Sequence, residues 1–404
     1  MTALRDAWAD IAIFGGGIAG LWTLHVLRRA GFAAVLLSSG RLGAGQTVAA
    51  QGIIHGGLKY AFDFKLTEAS RAIADMPAVW QRCLAGDGDV DLRSVKVLAP
   101  RCHFWLPRGL LNRAAGFLAS KAVKSKTERL AEAEWPETLK GNAGVGAVYA
   151  LDEPVLDVSS VLAALSERHR EHIHRIDWPD GATFERDPDD NPAVVRLKTG
   201  DGATVRLAAG RFIFAAGRGN ENLLGAAPRL SVHAQRRPLH MAMFKGMPAP
   251  LYAHCFEASD KPRVTITSHR ANDGAWVWYI GGELAESGVK RSSDQQIAEA
   301  RREISELFPT LDLGRAGAAT LAVDRAEPRQ PRGLRPDRPL VEAAGTALVA
   351  WPTKLAFAPA LAAEVLRALG ATRFRPAAGE IGALSTLPFP GIAAPPWDEA
   401  VSWA

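Results

Sequence analysis

Asp10-Ile11-Ala12-Ile13-Phe14-Gly15-Gly16-Gly17-Ile18-Ala19-Gly20 is the stretch whose reading decides the fold. Its first five residues form a short apolar run, which reads as a buried strand. The glycines then turn the chain into a helix over Leu21 to Ala30 that stops at Gly31. A second apolar run, Ala33 to Leu37, closes a βαβ unit of about 30 residues. In this setting the spacing Gly15-x-Gly17-x-x-Gly20 has a mechanical reason. The first glycine permits a tight turn, the second lets backbone approach a pyrophosphate, and the third allows close helix–strand packing. The helix N-terminus then faces the phosphates. Nucleotide binding at Gly15, Gly17, Ile18, Ala19 and Gly20 is the expectation. The pattern places Asp or Glu at the end of the second strand to hold a ribose hydroxyl. Ser38 and Ser39 stand there instead. A hydroxyl bonds without charge assistance, so weaker or differently oriented adenosine binding is expected.

Working outward, the 404 residues are 48% hydrophobic and 23% charged, the values of a globular chain and not a disordered one. Cys83, Cys102 and Cys255 have no CxxC spacing, which speaks against a disulfide framework or a Cys-rich zinc site. The N-terminal MTALRDAWAD is charged where a secretory leader is apolar. No uncharged apolar run reaches the ~18 residues of a membrane span. A cytoplasmic protein is the expectation. The formal net charge of +5 is mild and does not establish nucleic-acid binding. It is also uneven: residues 101–130 hold seven cations and one acid, and residues 315–340 hold six cations and three acids. The basic helix expected over 110–130 could meet an acidic membrane surface, although a solvated face explains it as well.

Beyond the first unit, Ser38 to Gly57 reads as a long Gly/Ser/Thr-rich loop. Helices are expected over 61–82, around 155–176 and over Ser293 to Phe308. Strands are expected in 87–99 and at Arg211–Gly217, and residues 233–282 read as an antiparallel sheet. Ala347-Leu-Val-Ala is a last strand, leading through Trp351-Pro-Thr-Lys354 into a helix that ends near Gly370. A proline-rich tail then lies extended over the body.

The stretch Gly43-Ala-Gly-Gln46-Thr47-Val-Ala-Ala-Gln51-Gly52-Ile-Ile-His55-Gly56-Gly57-Leu-Lys59-Tyr60 resembles the FAD-dependent oxidoreductases of the D-amino-acid-oxidase superfamily. Within it, the glycerol-3-phosphate dehydrogenase and L-2-hydroxyglutarate oxidase branch looks most similar, since Ile-His-Gly-Gly-Leu-Arg-Tyr is typical there. The resemblance covers 10–60 strongly, Arg211–Gly217 moderately and 320–369 loosely. It implies a mixed α/β fold: a Rossmann-like FAD-binding domain and an antiparallel-sheet substrate domain. The FAD domain would comprise residues 1–60, 148–232 and 320–380, the substrate domain 61–147 and 233–319, and the tail 381–404.

The resemblance also implies site residues. The His-Gly-Gly loop would lie along the isoalloxazine, with Gln46, Thr47, Gln51, Gly52, Gly56 and Gly57 against the cofactor, joined by Ala216, Gly217, Lys354 and Leu355. His55 would serve as proton acceptor, substrate ligand or covalent attachment point, because removing a hydride from a carbon bearing OH or NH2 is helped by taking the heteroatom's proton. A backbone-bonding histidine is the plain alternative. Lys59 replaces the arginine of phosphate-specific members and lacks a planar fork, which puts glycerol 3-phosphate in doubt. Tyr60 matches a family tyrosine. Arg335, in Gly333-Leu-Arg-Pro336, and Arg325 are candidate anion holders, and Lys354 a cation near the flavin pyrimidine. No metal is expected: His169, His172 and His174 read as a solvated helix end.

The expected function is an FAD-dependent dehydrogenase or oxidase that acts on a small, anionic, hydroxy- or amino-substituted substrate, with oxygen or a quinone as re-oxidant. A flavin amine oxidase-like enzyme on a larger or neutral substrate, and a flavin-binding protein without turnover, stay open as alternatives.

Overall fold

Two eight-stranded sheets organise the residues that the structure describes. The structure is a computed structural model, and the described residues are 4–56, 73–110, 127–257, 261–334, 336–370, 381–399 and 402–404. The first sheet is built around β1 (Leu4–Phe14), which pairs in parallel with β2 (Ala34–Ser38) on one side and Thr204–Phe214 on the other. Ile173–Arg175 extends the sheet beyond β2, and Ala347–Trp351 and Leu340–Ala344 extend it beyond Thr204–Phe214. Both faces are covered over Ile11–Phe14, so this end of β1 reads as a continuous apolar run, while the half before it alternates. Ile11 and Ile13 pack with Trp22 and Leu24 of helix α1 (Ile18–Arg29). Ala12 and Phe14 point the other way, into Phe212 and Phe214. Ring centroids of Phe14 lie 5.2 Å from Phe184 and 5.9 Å from Phe214.

Helix α1 begins three residues before the expected Leu21, because Gly17 takes the N-cap position. Ile18 to Leu27 are all buried, since the helix is covered by the sheet, by Ala358–Leu369 and by Val158–Glu167. Trp22 meets Trp80 at 4.6 Å, and the Trp80 indole N–H donates to the Ala356 carbonyl at 3.0 Å. A buried indole thus satisfies its one donor.

The second sheet has the order Gly317–Pro328, Ala234–Met247, Trp276–Gly281, Val264–Arg270, Ala253–Cys255, Cys102–Pro107, Val145–Leu151, Thr127–Arg129. Its pairings are antiparallel except Ala253–Cys255 against Cys102–Pro107. Trp105, Trp278 and Phe308 fill its core together with Ala300 and Ile304 of the helix Ser293–Leu307. That helix starts where its serine places it. The Ser292 hydroxyl accepts from Gln295 N–H, and the Gln295 side chain accepts from Ser292 N–H. Gly317–Pro328 and Val145–Leu151 belong to this sheet, so cuts at 320 and 148 fall inside two of its strands.

Several elements differ from expectation. Thr127–Arg129 is a strand paired with Val145–Leu151 where a basic helix was expected to end. Glu128 is held there by Arg101 at 2.6 Å. Residues 111–126, the body of that expected helix, lie outside the described residues. In 87–99 only Val97–Ala99 is a strand. The glycines and aspartates of 86–91 break the run, with Asp91 bonded to Arg93 instead of to a neighbouring strand. The described helix in the 61–82 region is Met76–Ala85.

The tail was expected to be extended throughout, but it opens on the 3-10 helix Ile381–Thr386 and turns again near Trp397; it ties the sheets together. Leu42 N–H donates to Gly391, and Arg175 N–H to Pro388, both on the first-sheet side. Asn272 N–H donates to Asp398, and Ala404 and Ala318 exchange backbone bonds of 2.8 and 2.9 Å, on the second. Trp397 stacks on His269 at 3.9 Å and 17°. Trp397→Ala is expected to cost about 3 kcal/mol in chemical denaturation, the usual loss for a buried aromatic. A cost below about 1 kcal/mol would show that the tail is not integral to the fold.

Candidate active site

A cleft of about 1160 Å³ lies between the sheets, and it is lined by most of the residues singled out from the sequence. At one end are Gly15 to Ala19, Ser38 and Ser39. Gly15 has φ +124°, and a side chain at Gly20 would fall 1.9 Å from the Gly15 carbonyl oxygen. The turn and the close helix approach therefore both require glycine. The first-turn N–H groups of α1 have no intrahelical partners. That of Ile18 is taken by the Thr47 hydroxyl at 3.2 Å. Thr47 thus shapes the helix terminus from across the loop.

Ser38 is buried, and its hydroxyl donates to the Gly40 carbonyl at 2.9 Å. Its proton is used within its own loop, so towards a ribose it can only accept. Arg41 lines the same end and was not foreseen; it donates to the Ile392 carbonyl of the tail at 3.2 Å.

The loop 51–56 crosses the middle of the cleft. Gly52 has φ +76°, and a side chain there would sit 2.1 Å from the Leu156 carbonyl oxygen. Gly52 accepts from Leu156 N–H, and Ile54 N–H donates to Pro154. The expectation that Gln46 and Gln51 face a cofactor is modified. The Gln51 amide donates to the Thr265 and Tyr279 carbonyls, both at 3.0 Å, and Gln46 donates to Ala326 at 3.3 Å. Their amides are occupied in holding this loop to the second sheet, although both residues line the cleft.

His55 also lines the cleft, with its side chain 43% exposed. Its Nδ1 lies 3.2 Å from Oε2 of Glu153, and the other oxygen of Glu153 accepts from Gly56 N–H at 2.7 Å. Glu153 is almost fully buried. Burial alone would raise its pKa, but the hydrogen bond and charge of His55, the charge of His254 and the Gly56 N–H together hold it below the ordinary value. It is therefore a carboxylate at neutral pH. His254 sits beside this pair, its ring 5.8 Å from that of His55, with Nδ1 2.8 Å from the Thr265 hydroxyl. Burial first, and then the His55 charge, push His254 down to about 4, against the attraction of Glu153. His254 is neutral at neutral pH.

Among the described residues, His55, Glu153 and His254 form the group with metal-ligand spacing, their ligand atoms lying within 4.8 Å of one another. Both Glu153 oxygens already accept hydrogen bonds from the chain. The arrangement therefore handles a proton without further rearrangement. Sequence reasoning missed Glu153 and His254. Leu151-Asp-Glu-Pro154 has no motif spacing, and only the fold brings it to His55. The discounted histidines gather elsewhere, His169 4.5 Å from His25.

Cations collect at the remaining end. Arg325, Lys261 and Lys354 line the cleft, as do Glu286 and Glu327. Arg325 Nε donates to the Arg237 carbonyl at 3.0 Å. Arg237 reaches buried Glu327 at 3.3 Å, and Lys261 reaches Glu286 at 2.7 Å. Burial would raise the Glu286 pKa, but Lys261, Arg237 and Arg325 hold it low. Lys354 precedes the turn Leu355–Phe357 that leads into Ala358–Leu369, so this helix start faces the cleft. Ala216, Gly217 and Leu355 line the cleft as well, and the Gly217 carbonyl accepts from the Trp351 indole at 3.2 Å. Gly57, Lys59, Tyr60 and Arg335 lie outside the described residues.

A glycine-cradled helix terminus, a parallel sheet and a second sheet closing over a histidine-bearing loop define a nucleotide-dependent oxidoreductase of the two-domain flavin class. Residues 10–365 match the DAO family of FAD-dependent oxidoreductases, and the chain belongs to that family. It is 46% identical over 401 residues to a probable FAD-dependent oxidoreductase of Pseudomonas aeruginosa, covering 97% of this chain and 98% of the relative. The crystal structure of a Pseudomonas aeruginosa FAD-dependent oxidoreductase superposes with a TM-score of 0.83 at 42% identity, over 97% of this chain and 98% of that one. Glycine oxidase from Geobacillus kaustophilus shares the fold at a TM-score of 0.63 and 17% identity, over 94% and 98% of the two chains. L-alpha-glycerophosphate oxidase from Mycoplasma pneumoniae with FAD bound does so at 0.63 and 14%, over 92% and 97%. The protein is thus an FAD-dependent oxidoreductase, and the reading as a flavin binder without turnover falls away.

The residues present fit FAD. The glycine-cradled helix terminus suits the diphosphate, and the small residues Ala49, Ala50, Gly52 and Gly281 along the cleft suit a flat ring. Cys83, Cys102 and Cys255 are buried and unpaired with one another. Among the described residues, no helix is long and apolar enough to cross a membrane. Titration of apo-protein with FAD checks the adenosine end: Ser38→Ala is expected to weaken binding about fivefold, the worth of one neutral hydrogen bond. An unchanged affinity would remove the Ser38 hydroxyl from the site.

Proposed function

We propose that this oxidoreductase oxidises a small anionic substrate at a carbon bearing a hydroxyl or amino group, with His55 accepting the proton of that group. The observation that carries the reading is the His55–Glu153 pair set in the same cleft as the glycine cradle. FAD, when bound, supplies the hydride acceptor. A carboxylate has no proton to share, so the hydrogen between Glu153 and His55 belongs to Nδ1. The Nε2 lone pair of the neutral ring is then left for the substrate. Arg325 and Lys354 supply positive charge along the cleft for a substrate carboxylate or phosphate.

The hydroxy-acid and glycerol-phosphate branch is part of this proposal on the strength of Ile53-Ile54-His55-Gly56. Glu286 and Glu327 favour a second reading, because these carboxylates in the cleft suit a substrate ammonium. Amino acids and larger amines therefore stand beside hydroxy acids. Oxygen or a quinone would re-oxidise the flavin.

Anaerobic bleaching of the holoenzyme's visible band by hydroxy acids, amino acids, amines and glycerol 3-phosphate tests the substrate class. Bleaching by neutral amines alone would overturn the anionic reading. His55→Ala is expected to keep the flavin band and slow its bleaching about 100-fold, the usual worth of a general base. Bleaching at the wild-type rate would remove His55 as proton acceptor.

A further inference from the structure

We propose that Glu153 is the positioning residue of this site: its carboxylate fixes the His55 ring with Nδ1–H inward and Nε2 towards the cleft, and it anchors the loop that carries the histidine. The inference rests on the reading of His55 given above and names a residue that neither the motif nor the family match assigns.

Three observations carry it. The first is the placement of the two oxygens. Oε1 accepts from Gly56 N–H at 2.7 Å, and Oε2 meets His55 Nδ1 at 3.2 Å. One carboxylate therefore holds both the backbone after the histidine and the ring itself. The second is burial. The Glu153 side chain is 7% exposed, against 43% for His55. A buried carboxylate is retained only where donors satisfy it, and removing one partner is strongly destabilising. Glu153 thus needs the donors the site supplies, and Gly56 N–H remains one of them when the ring is removed. The third is the surroundings. Cys102 N–H donates to the Glu153 carbonyl at 2.8 Å, which fixes the backbone from the second sheet. His254, held by Thr265 in that sheet, closes the other side. The ring of His55 is thereby referenced to a rigid element and does not depend on its own loop.

The chemical consequence concerns which nitrogen keeps a lone pair. With a carboxylate as partner, Nδ1 must donate and Nε2 can accept. In Glu153→Gln, the amide oxygen is retained by Gly56 N–H, which needs an acceptor. The amide NH2 then faces His55 and donates to Nδ1, and the ring proton moves to Nε2. Side-chain volume is nearly unchanged, but the histidine presents a proton where it presented a lone pair. Glu153→Asp keeps the charge and shortens the reach by one methylene.

Nitrogen-15 spectra of histidine-labelled holoenzyme, taken where free imidazole is neutral, decide the matter without any substrate. Wild type is expected to show His55 Nδ1 protonated and Nε2 bare, and Glu153→Gln the reverse. Glu153→Asp is expected to return to the wild-type tautomer, and it serves as the test if the Gln variant fails to hold FAD. An Nε2–H tautomer in wild type, or the same tautomer in wild type and Glu153→Gln, would overturn the proposal.

Anaerobic flavin reduction by glycine, L-2-hydroxyglutarate or glycerol 3-phosphate, whichever reduces wild type, gives the kinetic counterpart. Glu153→Gln is expected to lower kcat about 100-fold with KM within about threefold, and Glu153→Asp to recover about tenfold of that loss. A kcat in Glu153→Gln within about twofold of wild type overturns the proposal. If His55→Ala is nevertheless crippled, the failure lies with Glu153 alone. If His55→Ala is also fully active, the reading of His55 fails first.

Discussion

The loop 51–56 is fixed from two directions, and the geometry of the site depends on that constraint. Gly52 and Ile54 exchange backbone hydrogen bonds with 154–156, and Gly56 binds the Glu153 carboxylate. Gln51 reaches the other way, to two carbonyls of the second sheet. The Tyr279 hydroxyl returns a bond of 3.0 Å to the Ala49 carbonyl. Ile53 and Ile54 are buried and anchor the middle of the loop. Hydrogen bonds fix its two ends, and each is costly to leave unmade. The distance from the α1 terminus to His55 is therefore set by the two sheets together. Hydride transfer needs such a fixed distance, because its donor and acceptor must be held in contact.

Legibility in the sequence followed the range of the interactions involved. The βαβ unit was legible because its evidence is local: an apolar run, three glycines and a second apolar run within about 30 residues. The serine cap at Ser292 and the β-former-rich stretch 233–282 were legible for the same reason. The strand at Thr127–Arg129 was not, because its charged residues carry no strand pattern and its conformation comes from pairing with Val145–Leu151. Ser38 was identified at the ribose position, but its bond to Gly40 could not be read. Glu153 is the largest omission. It lies 98 positions from His55, and its carboxylate matters only once the chain leaves the second sheet at Leu151 and pairs Leu156 with Gly52. A buried acid with two local donors leaves no pattern along the chain.

Charge shows the same division between count and arrangement. The net +5 implied little, and two segments together carry more than all of it. In the structure, Arg101 is balanced by Glu128 and Asp152, so part of the 101–130 surplus is neutralised across strands. In 315–340, Asp324 pairs with Arg236 and Glu327 with Arg237, both from the neighbouring strand. Arg325 lies between these acids and lines the cleft. Its strand partners are thus fixed by the register of Ala234–Met247 against Gly317–Pro328, where Arg237 faces Arg325. Like charges opposite each other repel. The register is tolerated because Glu327 and Glu286 flank the pair and because Arg325 donates to the Arg237 carbonyl.

That crowding has a functional consequence. Arg325 is placed on the cleft wall by the sheet register, beside the buried Glu327 carboxylate that Arg237 neutralises. A substrate anion placed against it would meet positive charge already oriented by the strands, so little reorganisation is needed on binding. The pairing of Arg237 with Glu327 also limits the gain. A guanidinium already engaged offers less to a newcomer than an unengaged one. Arg325 and Lys354, unlike Arg237, line the cleft themselves. Arg325 is carried by a strand of the second sheet and Lys354 by the turn that follows a strand of the first, so the contact between the sheets fixes their relative placement as it fixes that of the loop 51–56. The cations of the cleft and His55 thus share one mechanical reference, the contact between the two sheets.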